Sequence, residues 1–451
     1  MKNIEKNLTT GSVVRQLVAF SFPFLLSNLL QTLYSVVDMI IVGKYSGAVG
    51  ISAINNGGQI INMLTNIITG LCTGATVVIG QYFGASEKKK INTVFQTTSF
   101  LLIIMGSAIL VFMFFNVDNV MEWMRIPEVS YMETKKYLII TTCGIFFICG
   151  YNLFSAVMRG MGDSKNPLIF VGIACIINVF LDIVLIGVFN LGTKGAAIGT
   201  VCSQGISMFC CAFFLMKNTK LLHIKLKKEN FDLREMKLVV NIGIPISVQN
   251  VIINLSFIFI AVLVNEIGVN ASAAVGVVSK FNNFAIMPAV AMGASLSTIV
   301  AQIIGAKKIE RVKETLYVAM VIVGSIGVII FLISQMYTES VISLFSSDKS
   351  LLKEGIVYLK YLSIDYIFVP CLLCLNGVIT GTGHAIFSSA VSIVTSVFIR
   401  VPVAYIFGKI LGWGLKGVGI AAPAATVIGV IVTCLFFYSG RWKQQTSIAS
   451  K

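Results

Sequence analysis

The sequence predicts an all-α polytopic membrane protein, with twelve transmembrane helices in two pseudo-symmetric six-helix lobes. Three observations carry that reading. Of 451 residues, 56% are hydrophobic and 12% charged, against about 25% charged in a soluble domain. The apolar residues gather into long runs joined by short connections. The second half also repeats the first at a nearly constant spacing. So little charge cannot coat a soluble enzyme of this size, and so apolar a chain is not disordered.

A membrane helix needs about 20 mostly apolar residues. Twelve runs qualify: 14–42, 52–83, 93–116, 135–160, 166–189, 195–216, 238–264, 272–304, 314–337, 354–380, 387–409 and 417–439. The first run is too long for a secretory signal and lacks a small-residue cleavage site, so it reads as a permanent helix. The runs divide the chain into an N-lobe at 1–216, a basic linker at 217–237, a C-lobe at 238–440 and a tail at 441–451.

The formal net charge of +15 could suggest nucleic acid, but no soluble domain is present to carry such a surface. Its distribution gives another meaning. With residues at span ends counted to the adjoining connection, 22 of the Lys and Arg residues fall on the termini and even-numbered connections, 9 on the odd-numbered connections and 3 deep inside spans. An excess of Lys and Arg marks the cytoplasmic side. The expectation is a plasma (inner) membrane protein with both termini and the linker cytoplasmic, in contact with membrane lipids.

Four patches show the repeat. GQYFGASEKKK at 80–90 returns as AQIIGAKKIER at 301–311, and SFPFLLSN at 21–28 as GIPISVQN at 243–250. VMRGMGDS at 157–164 returns as VITGTGHA at 378–385, and LGTKGAAIGT at 191–200 as WGLKGVGIAA at 413–422. The offset is 221 or 222 throughout, a sign of duplication. Six spans per half give the two repeats one orientation, an architecture common in transporters.

Ionisable residues inside a bilayer are costly and mark function by default. Asp38, Asp182 and Asp365 are the three acids inside spans and away from their ends. Gln31, Tyr34 and Asp38 are spaced three and four apart, as Asn178 and Asp182 are four apart, so each set shares a helix face. Together with Thr200 these faces form a candidate cavity in the N-lobe. The repeat supplies a control: the partners of Asp38, Asn178, Asp182 and Thr200 are Ile260, Arg400, Ala404 and Ala422. Polar groups needed only for the fold would have counterparts in the twin half. Two carboxylates in a low-dielectric cavity repel, and a proton or cation relieves the repulsion. Asp38, Asn178, Asp182 and Thr200 also offer the oxygens of a sodium site. Asp365 is either a substrate contact or the partner of a cation such as Lys280 or Lys360. Arg400 is either a packing residue or a charge in the substrate cavity.

Other patterns carry less. Gly160-Met161-Gly162-Asp163 matches the GxGD of intramembrane aspartyl proteases, but Asp163 falls in a turn. His223 and His384 have no plausible Ser or Cys partner, so nucleophilic catalysis is unsupported. Cys371 and Cys374 form a CxxC inside an apolar helix, where core packing is the better reading. No Walker motif is present. Gly70/Gly74 and Gly80/Gly84 have the GxxxG spacing of close helix contact. No catalytic residue and no cofactor is expected.

These residues resemble the multidrug and toxic compound extrusion (MATE) family. The likeness runs over nearly the whole chain: twelve spans, the GQxxGA turn at 80–85 and its echo at Gln302 to Ala306, RGxGDS at 159–164, NVFLD at 178–182 and RVPVAY at 400–405. In relatives with an N-lobe cation site the pattern is Gln-x2-Tyr-x3-Asp, Asn-x3-Asp and a Thr in the sixth helix. Gln31, Tyr34, Asp38, Asn178, Asp182 and Thr200 match it position by position. The resemblance implies an antiporter that exports small organic cations, driven by H+ or Na+, through two six-helix lobes that alternate between inward- and outward-open states. A monomer is expected. Another branch places acids in the seventh and tenth helices, where this sequence has Asn254 and the apolar stretch around Val369. Lys280, Lys360 and Arg400 give some support to the alternative, a flippase of lipid-linked precursors from the same superfamily.

Overall fold

The computed structural model describes residues 5–219, 231–343 and 348–443, without the side chains of Lys349 and Ser350. Most of the expected linker, 217–237, and most of the tail lie outside the described residues.

Among the described residues every regular element is helical. They are α1 (Val13–Gly84), α2 (Lys88–Trp123), α3 (Glu128–Cys143), α4 (Ile145–Gly160), α5 (Lys165–Asp182), α6 (Gly192–Asn218), α7 (Leu233–Ile267) and α8 (Val269–Gly305). There follow α9 (Ile309–Met336), α10 (Thr338–Ser343), α11 (Lys349–Leu362), α12 (Asp365–Gly381), α13 (Ala385–Thr395), α14 (Val401–Tyr405) and α15 (Leu415–Tyr438). A π-helical segment, Ile183–Val188, extends α5, and two more, Ser396–Arg400 and Ile406–Ile410, flank α14.

The 72 residues of α1 would run about 108 Å as one rod, several times the bilayer core. The chain breaks at Gly47, whose φ of 62° is open to glycine. Two expected spans, 14–42 and 52–83, are thus one element with a glycine joint. The spans at 135–160 and 354–380 are each bent pairs, by 49° and 45°. With α1 taken as two and each bent pair as one, twelve spans stand among the described residues.

Lipid replaces water as the solvent of these helices. Phe114 and Phe115 of α2 are 72% and 75% exposed, while Gln96, Thr97 and Thr98 of the same helix are fully buried. That inversion suits a hydrocarbon surround. Hydroxyls within the membrane bond to their own helix: Thr65, Thr69 and Thr73 each donate to the carbonyl four residues back, at 2.8, 2.9 and 2.8 Å.

The repeat is imprinted in the backbone. In the first half Glu87 N bonds to Tyr82 O at 2.9 Å, with Ser86 at φ 62°. In the second, Lys308 N bonds to Ile303 O at 3.1 Å, with Lys307 at φ 58°. Both close a helix with the same six-residue, left-handed cap.

The chain divides into two compact units, Met1–Asn7 with Leu26–Ser247, and Leu8–Leu25 with Val248–Lys451. The start of α1 belongs to the second unit and the start of α7 to the first. The divisions after Leu25 and Ser247 each follow a proline by two residues, Pro23 and Pro245. In the second unit Leu8, Val13, Leu17 and Phe20 join a core with α8, α9 and α12, which also takes in Cys374 of the CxxC. In the first unit α7 lies close on α1: a Cβ added at Gly74 would stand 2.5 Å from Val239 O, and Ser247 Oγ donates to Ile67 O at 2.8 Å. Gly70 and Gly74 make this contact.

Candidate functional site

The polar groups of the first unit converge from four helices. α1 brings Tyr34 and Asp38, α3 brings Tyr137, α5 brings Asn178 and Asp182, and α6 brings Thr200. Asp38 and Asp182 lie within hydrogen-bonding reach of each other. Tyr34 faces both carboxylates. Tyr137 faces both as well, and Thr200 too.

The burial is nearly complete: Asp38 is 5% exposed, Asn178 2% and Asp182 0%. Asp38 Oδ1, both Asp182 oxygens, both Asn178 amide atoms and Thr200 Oγ1 have no hydrogen-bond partner. Buried polar groups are ordinarily paired, and a buried unpaired carboxylate is costly. So many orphans in one place make a candidate ligand set. The donors are two carboxylates, an amide oxygen and a hydroxyl, which suit a proton or a hard cation rather than a soft metal. Among the described residues no three of His, Cys, Asp and Glu gather into a metal cluster.

Local structure makes room for this set. Gly199 on α6 faces α5, where a Cβ would stand 2.5 Å from Asp182 Oδ1 and 3.7 Å from Asn178 Nδ2. Immediately after Asp182 the helix widens into the π-turns of Ile183–Val188, a distortion that recurs at functional sites. A pocket opens beside the site, lined among others by Gln31, Tyr34, Tyr151, Cys175, Asn178 and Gln204. It measures about 310 Å³ with its open mouth included.

Gln31, Tyr34, Asp38, Asn178, Asp182 and Thr200 therefore stand in one region of the first unit. Asp365 and Arg400 stand together in the second. Asp365 faces Thr426 and Arg400, not Lys280 or Lys360, both of which are exposed. Arg400, by contrast, ends a π-turn and is half-buried. Its guanidinium lies 4.8 Å from the Phe257 ring centroid and donates to Ser256 Oγ at 3.4 Å. Asp163 caps α5: its carboxylate accepts the backbone N–H of Lys165 at 3.0 Å and of Asn166 at 3.2 Å. That role accounts for the GxGD pattern.

Two contributors escape the sequence reading. Tyr137 has a tyrosine twin, Tyr358, so the repeat comparison files it with the scaffold. Gly199 contributes an absent side chain, which no polar pattern announces.

Residues 23–184 and 245–406 both match the family model described as MatE. The chain belongs to this family of multidrug efflux transporters; it is a membrane transporter and not an enzyme. It is similar to the probable multidrug resistance protein YpnP of Bacillus subtilis (strain 168), 27% identical over 445 residues and 99% of each chain. It is also similar to the probable multidrug resistance protein NorM of Thermotoga maritima, 24% identical over 470 residues, 98% of this chain and 96% of the relative. The same fold occurs in the solved structure of a MOP superfamily transporter from Pyrococcus furiosus, with TM-score 0.91, 21% identity and 99% of both chains covered.

Proposed function

We propose that the protein is an antiporter that takes in H+ or Na+ at Asp38, Asn178, Asp182 and Thr200 and exports small organic cations in exchange. The observation that carries this reading is the pair of buried carboxylates with no donor between them. Two such groups cannot both ionise cheaply. A proton, a sodium ion or an organic cation offsets the same charge, so the ligands compete. Exclusive occupancy of one pair couples their movements. Gln31 and Tyr34 extend the cation site into a substrate cavity of the first unit, and Asp365 and Arg400 are candidate substrate contacts within the second unit. The words "multidrug resistance" in the relatives' names support small organic compounds as the cargo.

Alternating access requires bending. Proline removes one helix hydrogen bond and bends its helix. Pro23 and Pro245 stand where α1 and α7 pass from one unit to the other, which makes them the joints of the cycle. Both termini are cytoplasmic on the Lys and Arg distribution, and the protein acts as a monomer in the plasma membrane.

Proteoliposomes loaded with a fluorescent organic cation provide the test, with inward H+ and Na+ gradients imposed in turn. The expected result is efflux that accelerates under at least one gradient and stops when that gradient is collapsed. Efflux indifferent to both gradients contradicts coupled antiport.

A further inference from the structure

A second buried acid lies in the first unit, away from the cation site. Glu235 is in the first turn of α7, ahead of the expected 238–264 span, and is 3% exposed. Its Oε1 accepts the hydroxyl of Tyr82, from the end of α1, at 2.7 Å. Its Oε2 is buried with no partner. Tyr82 itself is 0% exposed.

The pair sits where the leading turns of α7 meet α1 and α2. Asp232 N donates to Thr97 Oγ1 of α2 at 3.2 Å, and Asp232 Oδ1 accepts Arg234 N at 2.7 Å. Beyond Glu235 the lead passes Gly74 and Gly70 and reaches Ser247, where the first unit ends. The repeat gives a comparison. The partners of Glu235 and Tyr82 are Val13 and Ile303, and both belong to one apolar core cluster of the second unit. The start of α1 is thus seated by apolar packing together with a hydrogen bond from Arg311 to Gln16 Oε1 at 3.1 Å, whereas the equivalent start of α7 is seated through a buried carboxylate.

We propose that Glu235 is a second proton-binding site, a latch that holds the first turns of α7 on the first unit while protonated and frees them when it gives the proton to water. The orphaned Oε2 is where the proton stands, and Oε1 keeps the Tyr82 hydroxyl. Burial pushes the Glu235 carboxyl above its ordinary range, with Asp232 adding to the effect. The Tyr82 hydrogen bond and the positive charges of Lys90 and Arg234 oppose it. The packed form therefore binds the proton more tightly than the released form. Low pH favours packing, and the advantage is lost as pH rises through the packed-state value. A transporter that alternates by bending α7 gains a joint whose stiffness follows the pH at that end of the helix.

The latch is testable without transport, by hydrogen exchange of residues 233–243 in the purified full-length protein at pH 6 and pH 8, corrected for intrinsic rates. In the wild type, protection falls by up to about tenfold per pH unit, the limit for one linked proton. Glu235→Gln, which keeps the acceptor but cannot ionise, is expected to stay protected at both values. Tyr82→Phe is expected to lower protection already at pH 6. Wild-type protection that does not change with pH overturns the proposal. So does a Glu235→Gln variant that loses protection as the wild type does, or a Tyr82→Phe variant as protected at pH 6 as the wild type.

Discussion

Asp182→Asn removes ion-driven efflux while the protein stays folded. A typical coupling free energy corresponds to roughly 5- to 150-fold, and a fall of that size in gradient-dependent efflux is expected for Asp182→Asn and for Asp38→Asn. Stability should move the other way. Asp182 is 0% exposed and both of its oxygens lack partners, so its charge is a burden on the fold. The neutral isostere sheds that charge and adds an amide that Asp38 can accept. The thermal midpoint of Asp182→Asn should therefore equal or exceed that of the wild type. A variant that lost efflux through misfolding would melt lower, and the two measurements together separate the explanations.

Gly199→Ala reaches nearly the same loss of efflux without touching a chemical group. In an ordinary helix interior the change from glycine to alanine stabilises by about 1 kcal/mol. At Gly199 the new Cβ would stand 2.5 Å from Asp182 Oδ1, a clash that must move the carboxylate or part α5 from α6. Overpacking of this kind costs about 1–3 kcal/mol. The clash outweighs the helix propensity, so both melting temperature and coupled efflux fall. Gly58→Ala is the matched control, because a Cβ there meets nothing within 4 Å. It should be neutral or stabilising and should transport normally. Equal behaviour of the two variants would show that the α5–α6 contact does not shape the site.

Much of this architecture is legible from elementary rules. Apolar run length gives the spans, because the bilayer sets one thickness for all of them. Helical spacing puts Tyr34 with Asp38 and Asn178 with Asp182, because residues three and four apart share a face. The missing polar groups at Ile260, Ala404 and Ala422 single out the first half. What escapes has physical reasons too. Gly47 stands in a run of small and apolar residues, and its positive φ is a property of the backbone that the side chains do not betray. The opening turns of α1 and α7 look like parts of their own lobes, since hydropathy is blind to the partner a helix end packs on. Tyr137 is hidden by its own repeat, and Gly199 by having nothing to display. In sequence terms Asp365 is either a substrate contact or the partner of a cation such as Lys280 or Lys360. In the structure Asp365 bonds to Thr426 and feels the charge of Arg400, which comes from a π-turn that shifts the helix register spacing arguments assume.

The central claim is that a coupling ion and an organic cation exclude each other at Asp38 and Asp182. It is tested most directly by adding an organic cation to the purified protein in weakly buffered, low-sodium and then sodium-containing solution, and recording released protons and sodium. Binding of the organic cation to the wild type should release H+ or Na+, and binding to Asp182→Asn should release neither. If the cation bound both proteins equally well and released as much ion from the variant as from the wild type, the exchange would lie elsewhere in the molecule.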